Sequence, residues 1–363
     1  MNKKLVDVIV GARPNFIKVY NLFKVYKKKK RNFNMRLIHT GQHYDLNMSD
    51  VFFKQLKLPK PKKNLMVGSG SHATQTSKIM ISYEKVLLSD KPNLVIVVGD
   101  VNSTVACSLA AKKISGIKVA HIEAGIRSFD NDMPEEINRV VTDRLSDYYY
   151  TTSSFANQNL INEGADKSKI IFVGNTMIDT LKLNLNKIIK PKFFDKLITK
   201  NYILTTLHRP RNVDNFDKLK FILDKISNTF KNQTVIFPVH PRVNNLIIKN
   251  NLSFDNFIFS LPLPYLEFIY LIKFSKIIIT DSAGVSEEAT FLNIPCFTLR
   301  KNTERPETII DGTNVLVGES FKDISNLDKI IKKKKIKRKK IPKYWDGNSS
   351  DRIIKHLDKL FKI

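Results

Sequence analysis

Cysteine is almost absent from this chain: there are two in 363 residues. Cys107 lies in a helical pattern and Cys296 in an apolar strand pattern. Two separated thiols exclude a disulfide framework and a cysteine-rich metal site, and they predict buried free thiols in a reducing compartment, so a cytoplasmic location is expected. Long apolar runs are missing too. The most apolar stretch, 261–280, is broken by Pro262, Pro264, Glu267, Lys273 and Lys276, and it reads as a core helix followed by a strand, not as a membrane span. Near the amino end only 5–10 is apolar, interrupted by Asp7, which is too short for a signal peptide. No His/Cys cluster has metal-ligand spacing, no Walker A loop is present, and no Gly-x-Ser-x-Gly elbow occurs. The run 68–73, GSGSHA, matches a dinucleotide fingerprint in letters only, because no convincing strand precedes it. No metal and no nicotinamide cofactor is therefore expected.

Acidic residues are the scarce charge. Thirty-four Asp and Glu stand against 61 Lys and Arg, a net charge of +27. A surplus of this size raises nucleic acid and membrane surfaces as partners, since basic patches neutralise phosphate and release counterions. Its distribution points elsewhere. The run 27–31 ends a helical pattern, where cations suit the helix dipole, and 332–340 reads as a solvated helix end and linker. The remaining cations are spread through every segment without interleaved aromatics, so the expectation is no nucleic acid and no membrane, and a phosphorylated small molecule instead.

Length and composition fit a globular protein of two domains. The chain is organised around 94–139. There, LVIVV (94–98) is a continuous β-branched run, the pattern of a strand covered on both faces, and Gly99-Asp100 ends it. A helical pattern follows, which puts Asp100 in a strand-to-helix loop at the carboxyl edge of a parallel sheet, where such sheets bind ligands. The next strand, 118–122, places Glu123, Gly125 and Arg127 just past its end. Pro134 then opens a helix carrying Glu135, Glu136, Asn138 and Arg139. A lone acid after a strand is usually a cap. Three acids with two arginines nearby have the makings of an acid/base group, one held ionised by a cation and another raised by crowding.

Earlier in the chain, strand 5–10 runs into the turn Gly11-Ala12-Arg13-Pro14 and a helix bearing Lys18. A glycine turn at a helix start lets backbone amides approach an anion, which Arg13 and Lys18 would complete; an ordinary turn with solvated cations reads equally well. Strands are also expected at 35–39, 148–152 and 170–173. After lysine-rich sequence reaching residue 201, a second alternation begins, with strands at 202–207, 234–238, 257–259, 277–280, 296–299 and 315–317. His208-Arg209, His240-Pro241-Arg242 and Asp281-Ser282-Ala283-Gly284 follow three of them. Small residues at a helix start form an anion site, and Glu287 or Glu288, one to two turns in, is suited to ribose hydroxyls.

In order and coverage, these blocks resemble the non-hydrolysing UDP-N-acetylglucosamine 2-epimerases. GARPNFIK (11–18), HTGQHYDLNMSDVFF (39–53), VGDVNST (98–104), HIEAGIRSFDNDMPEEINR (121–139), GNTMIDT (174–180) and LHRPRN (207–212) carry the likeness through the first half. PVHPR (238–242), TDSAGVSEEA (280–289), NTERPETIIDGTN (302–314) and WDGNSSDRI (345–353) carry it to the end. The resemblance implies an α/β protein of the GT-B fold, two doubly wound Rossmann-like domains at 1–175 and 176–345 with the active site in the cleft between them. A last helix within 346–363 would pack back on the first domain. It implies a homodimer, a UDP-sugar substrate and no cofactor. Asp100, Glu123 and Glu135 match the family's catalytic carboxylates and His208 its active-site histidine. Arg13, Lys18, Arg209, His240, Ser282, Ala283, Gly284, Glu288 and Arg305 are the expected substrate-binding set, with Glu288 on the ribose. Ala283 stands where the family often has Gly. The Gln42-His43 loop keeps part of a pattern that binds a second, activating UDP-sugar in some bacterial members.

Overall fold

The computed structural model describes residues 3–42, 58–194, 201–239, 241–333 and 340–362. The chain divides into two compact units, Met1–Lys182 with Lys343–Ile363, and Leu183–Pro342. Each is a doubly wound α/β unit. In the first, β1 (Lys4–Val10), β2 (Phe33–His39), β3 (Lys63–Asn64), β4 (Leu94–Val98), β5 (Lys118–Ala124), β6 (Tyr148–Thr151) and β7 (Ile170–Phe172) form one sheet in the order β3-β2-β1-β4-β5-β6-β7. Every pairing is parallel. The order reverses between β1 and β4, so the loops leaving their carboxyl ends diverge to opposite faces and open a crevice there. Gly11 follows β1, and Gly99-Asp100 follows β4.

All five residues of β4 are buried, as its β-branched run requires of a strand covered on both faces. Helices His72–Ser89 and Asn102–Lys112 pack over it through Ile79, Tyr83, Ala106 and Ala110. At residue 11 the packing is close enough to demand glycine: a Cβ there would lie 2.0 Å from Ser103 Oγ and 2.9 Å from Thr40 Oγ1.

Helix Thr176–Asn184 stays with the first unit as far as Lys182, seven residues beyond the boundary expected at 175. Its Thr180 hydroxyl donates to the Ile17 carbonyl at 2.6 Å, and its Asp179 accepts the Ser349 and Ser350 amides at 3.0 and 2.6 Å. Those amides open helix Ser349–Leu360, which packs along helix Arg13–Lys27. The segment before it is anchored by Trp345, buried with its indole donating to Thr152.

The second unit repeats the plan with β8 (Ile203–Thr206), β9 (Val235–Pro238), β10 (Phe257–Ser260), β11 (Ile277–Thr280), β12 (Cys296–Thr298) and β13 (Asn314–Leu316). Its order is β10-β9-β8-β11-β12-β13, again all parallel. The reversal lies between β8 and β11, whose exits carry His208 and Asp281. Among the described residues no helix is long and apolar enough to cross a membrane.

Candidate active site

In the first unit the exits of β4 and β5 each present a carboxylate with its own cation. Asp100 accepts from Arg139 Nε at 3.0 Å and Nη2 at 2.5 Å. Glu123 pairs with Lys18 Nζ at 2.8 Å, and both are buried. Glu123 does not lie past the strand as the sequence reading had it. It is inside β5 as an extra residue, because Ile122 and Ala124 face the adjacent residues Tyr150 and Thr151 of β6. The bulge puts Glu123 at φ 74°, left-handed backbone that costs a non-glycine residue roughly 1–3 kcal/mol and occurs where surrounding structure enforces it. Its carboxylate and Lys18 both lie close under Gly99: a Cβ on Gly99 would be 3.2 Å from Lys18 Nζ and 3.7 Å from Glu123 Oε2.

The adjacent acids of helix Pro134–Leu145 separate into two roles. Glu136 is buried and accepts from the Ser128 and Phe129 amides, the Ser128 hydroxyl and Arg139, so it organises the loop before the helix. Glu135 is half-buried and lines a cavity of about 270 Å³ together with Asp100, Gln42, His72, Asn102 and Asn138. Two of the three expected carboxylates therefore share one cavity, and the third sits beneath the neighbouring turn. Gln42 has a scaffold role in that wall: its Oε1 accepts from the Ser103 amide (3.0 Å) and hydroxyl (2.7 Å). His43 lies outside the described residues.

In the glycine turn after β1 the backbone amides have a side-chain partner. The Gly11 and Ala12 amides donate to Asn15 Oδ1 at 3.1 and 3.0 Å, while Asn15 Nδ2 donates to the Val98 carbonyl. Asn15 thereby stitches the exits of β1 and β4 together. Arg13, half-buried, is the first residue of helix Arg13–Lys27.

In the second unit the fully buried Asp281 gathers the turn after β8. It accepts from the His208 and Arg209 amides (3.2 and 3.0 Å) and from Asn212 Nδ2 (3.2 Å), and His208 Nδ1 lies 2.9 Å from its Oδ1. Burial pushes the Asp281 carboxyl up, and His208, these amides and Asn212 more than offset it, leaving it below its ordinary value. The His208 side chain remains 48% exposed, oriented by the buried acid and open to solvent. Ser282 stands at the N-cap position of helix Ala283–Leu292, whose first turn holds Ala283 and Gly284. Glu287 and Glu288 are distinguished: Glu287 pairs with Arg305 Nε at 2.9 Å, and Glu288 receives the Tyr265 hydroxyl at 3.3 Å. Arg209 Nη2 lies 4.0 Å from Glu304. His240 lies outside the described residues, as do 334–339 of the lysine run.

Sequence reasoning missed His121 and Asp143, which are buried behind the two carboxylate turns 2.7 Å apart. They stand far apart in the chain and on different elements, so neither marks the other; only the position of His121 two residues before Glu123 hinted at a role.

A family model described as UDP-N-acetylglucosamine 2-epimerase matches residues 26–358. The chain is 43% identical to the UDP-N-acetylglucosamine 2-epimerase of Methanocaldococcus jannaschii, over 97% of this chain and 98% of that one. It is 38% identical to the UDP-2,3-diacetamido-2,3-dideoxy-D-glucuronate 2-epimerase of Pseudomonas aeruginosa, over 97% and 99%. The crystal structure of the M. jannaschii UDP-GlcNAc 2-epimerase in complex with UDP-GlcNAc and UDP matches at 42% identity with a TM-score of 0.89, covering 98% of this chain and 99% of that one.

Proposed function

Because the chain belongs to the UDP-N-acetylglucosamine 2-epimerase family, we propose that it interconverts UDP-N-acetylglucosamine and UDP-N-acetylmannosamine with no added metal or nicotinamide. A base removes the C2 proton while the C1–O bond to UDP breaks and its electron pair leaves with the diphosphate. The product of this elimination is a 2-acetamidoglucal. UDP then adds back to C1 as a proton reaches the other face of C2. Such a reaction needs carboxylates near C2 and cations or helix amides on the diphosphate.

The single observation that carries this reading is the common cavity of Asp100 and Glu135, with Glu123 under the adjoining turn. On this reading Asp100, Glu123 and Glu135 handle protons and His208 attends the diphosphate. Arg13, Lys18, Arg209, His240 and Arg305 supply positive charge, the helix start Ser282–Gly284 supplies amides, and Glu288 holds the ribose. Lys18 also fixes Glu123, so its loss would disturb both. A second copy of the chain is part of the proposal: Ile137, Val140 and Val141 form an exposed apolar stripe on helix Pro134–Leu145, and light scattering on the purified protein would read a dimer's mass.

Incubation with UDP-N-acetylglucosamine in deuterated buffer, followed by NMR of the sugar, tests the reading. The expected result is UDP-N-acetylmannosamine carrying deuterium at C2, unaffected by EDTA. Consumption of the sugar only when an acceptor is supplied would show a glycosyltransferase instead. Turnover confined to a UDP-2,3-diacetamido sugar would move the substrate toward that of the Pseudomonas relative, the reading that 38% identity keeps in view.

A further inference from the structure

His121 is fully buried in β5. Its Nε2 donates to the Gly99 carbonyl at 2.8 Å, and Nδ1 lies 2.7 Å from Asp143 Oδ1. The other oxygen of Asp143 accepts the Gly125 amide at 3.0 Å and pairs with Arg127 Nη1 at 2.7 Å. The chain Gly99–His121–Asp143–Gly125 thus runs behind the active-site turns. One end holds the residue before Asp100, and the other holds the residue two after Glu123. Both held glycines are left-handed, at φ 68° and 78°, as is Glu123, two residues before the second. Backbone in such conformations persists only when its surroundings over-determine it. The Gly99 amide donates to the Ile122 carbonyl and joins the same two turns a second time.

We propose that His121 and Asp143 are positioning residues that set the spacing between the Asp100 and Glu123 turns. The proposal rests on the reading of those two acids as the proton-handling groups. Catalytic geometry is sensitive at the scale of an ångström, and displacement of one turn by that amount is expected to slow the chemical step without changing how the nucleotide is held. Arg127 stays on Asp143 and on Glu163 (2.6 Å), so a change at His121 leaves the acid with a cation.

The test uses His121→Asn, His121→Gln and Asp100→Asn in the full-length protein, with the double variant His121→Asn/Asp100→Asn. Glutamine can present its amide nitrogen where Nε2 was and keep the bond to Gly99; asparagine mimics Nδ1 and cannot. His121→Asn is expected to lower kcat at least tenfold with KM and UDP affinity within about twofold of wild type, and His121→Gln to recover part of the loss. Against Asp100→Asn the loss should be non-additive, because a turn whose carboxylate has already been removed gains little from being held. Full additivity, a kcat for His121→Asn equal to wild type, or a loss that falls on KM alone would overturn the proposal. If His121→Asn does not fold, the comparison of His121→Gln with Asp143→Asn carries the same test: a kcat equal to wild type in both overturns it. The underlying reading fails separately and visibly, since Asp100→Asn would then turn over at the wild-type rate.

Discussion

The two units share a strand order and put their chemistry at the same kind of edge, yet the acids at those edges are held in different ways. At and behind the exits of β4 and β5 in the first unit three acids are closed against cations: Asp100 on Arg139, Glu123 on Lys18, Asp143 on Arg127. In the second, Asp281 is satisfied by backbone amides and a side-chain amide, and its one ionisable partner, His208, is left half in solvent. An acid held by amides organises a turn and frees the histidine to meet a ligand. Acids held by fixed cations instead sit at defined positions around a cavity, as a proton transfer between two faces of a carbon requires. The same architecture thus serves in one unit as a chemical scaffold and in the other as an anchor.

The hardest strike at that comparison is to neutralise the acids of the first unit. Asp100→Asn, Glu123→Gln and Glu135→Gln should each lower kcat by roughly 10²-fold or more while UDP affinity, read by calorimetry, stays nearly constant. Deuterium entry at C2 should fall in parallel. Wild-type exchange in both Asp100→Asn and Glu123→Gln would move the base to Glu135 or His208 and remove the division of labour between the units.

Next in size is a contrast of two small residues at helix starts. Gly11→Ala would drive a methyl into Ser103 and Thr40 and should cost about 1–3 kcal/mol, measured as a lower urea midpoint. Ala283, half-exposed at the helix start after β11 in the second unit, already carries its methyl, and Ala283→Gly should change stability by well under that amount. Equal losses at the two sites would show that the first turn is no more tightly packed than the second.

How much of this arrangement the sequence discloses depends on whether the cause is local. The buried run 94–98, the turn at Asp100 and the polar residues after β8 and β11 announce themselves, because burial on both faces writes a continuous apolar run and a strand exit writes a break. The bulge at Glu123 does not, since it is defined by a register against β6, and no residue type in β5 signals it. Asn15 capturing the Gly11 and Ala12 amides was missed for a different reason: a helix start with unoccupied donors and one whose donors are taken by a side chain four residues on have the same letters. His121 and Asp143 meet only because β5 and helix Pro134–Leu145 pack together, and the two-residue β3 is too short and polar to show a strand pattern.

A third prediction concerns the grip on the diphosphate, to which the first unit lends Arg13. Arg13→Ala should weaken UDP binding by about tenfold and let some glucal and UDP escape during turnover, a leak that quenched reaction mixtures would reveal by chromatography. The carboxylate variants should slow without leaking. A leak from Glu135→Gln as large as that from Arg13→Ala would mean that the acids help hold the intermediate as well.

The smallest expected effect lies in the acid limb of stability, and it separates the two ways of burying an aspartate. Burial raises the Asp281 carboxyl, but His208, the Arg209 amide and Asn212 outweigh it, so its folded value lies below the unfolded one. Asp143 is depressed as well, with burial opposed mainly by His121 and Arg127. A depressed acid stabilises the fold above its unfolded value, near pH 4, and that stabilisation is lost as the pH falls through the folded value. Urea midpoints taken from pH 5 downward should therefore decline in the wild type. Asp281→Asn keeps the shape of the side chain but lacks the titration, so it should begin less stable at pH 5 and decline less steeply. Asp143→Asn should flatten the curve too, and more sharply reduce turnover, because its loss also loosens Gly125 and His121. Parallel curves for wild type and Asp281→Asn would mean that His208 and the amides around Asp281 do not favour its ionised form, and the contrast between Asp281 and the acids paired with lysine or arginine would lose its energetic basis.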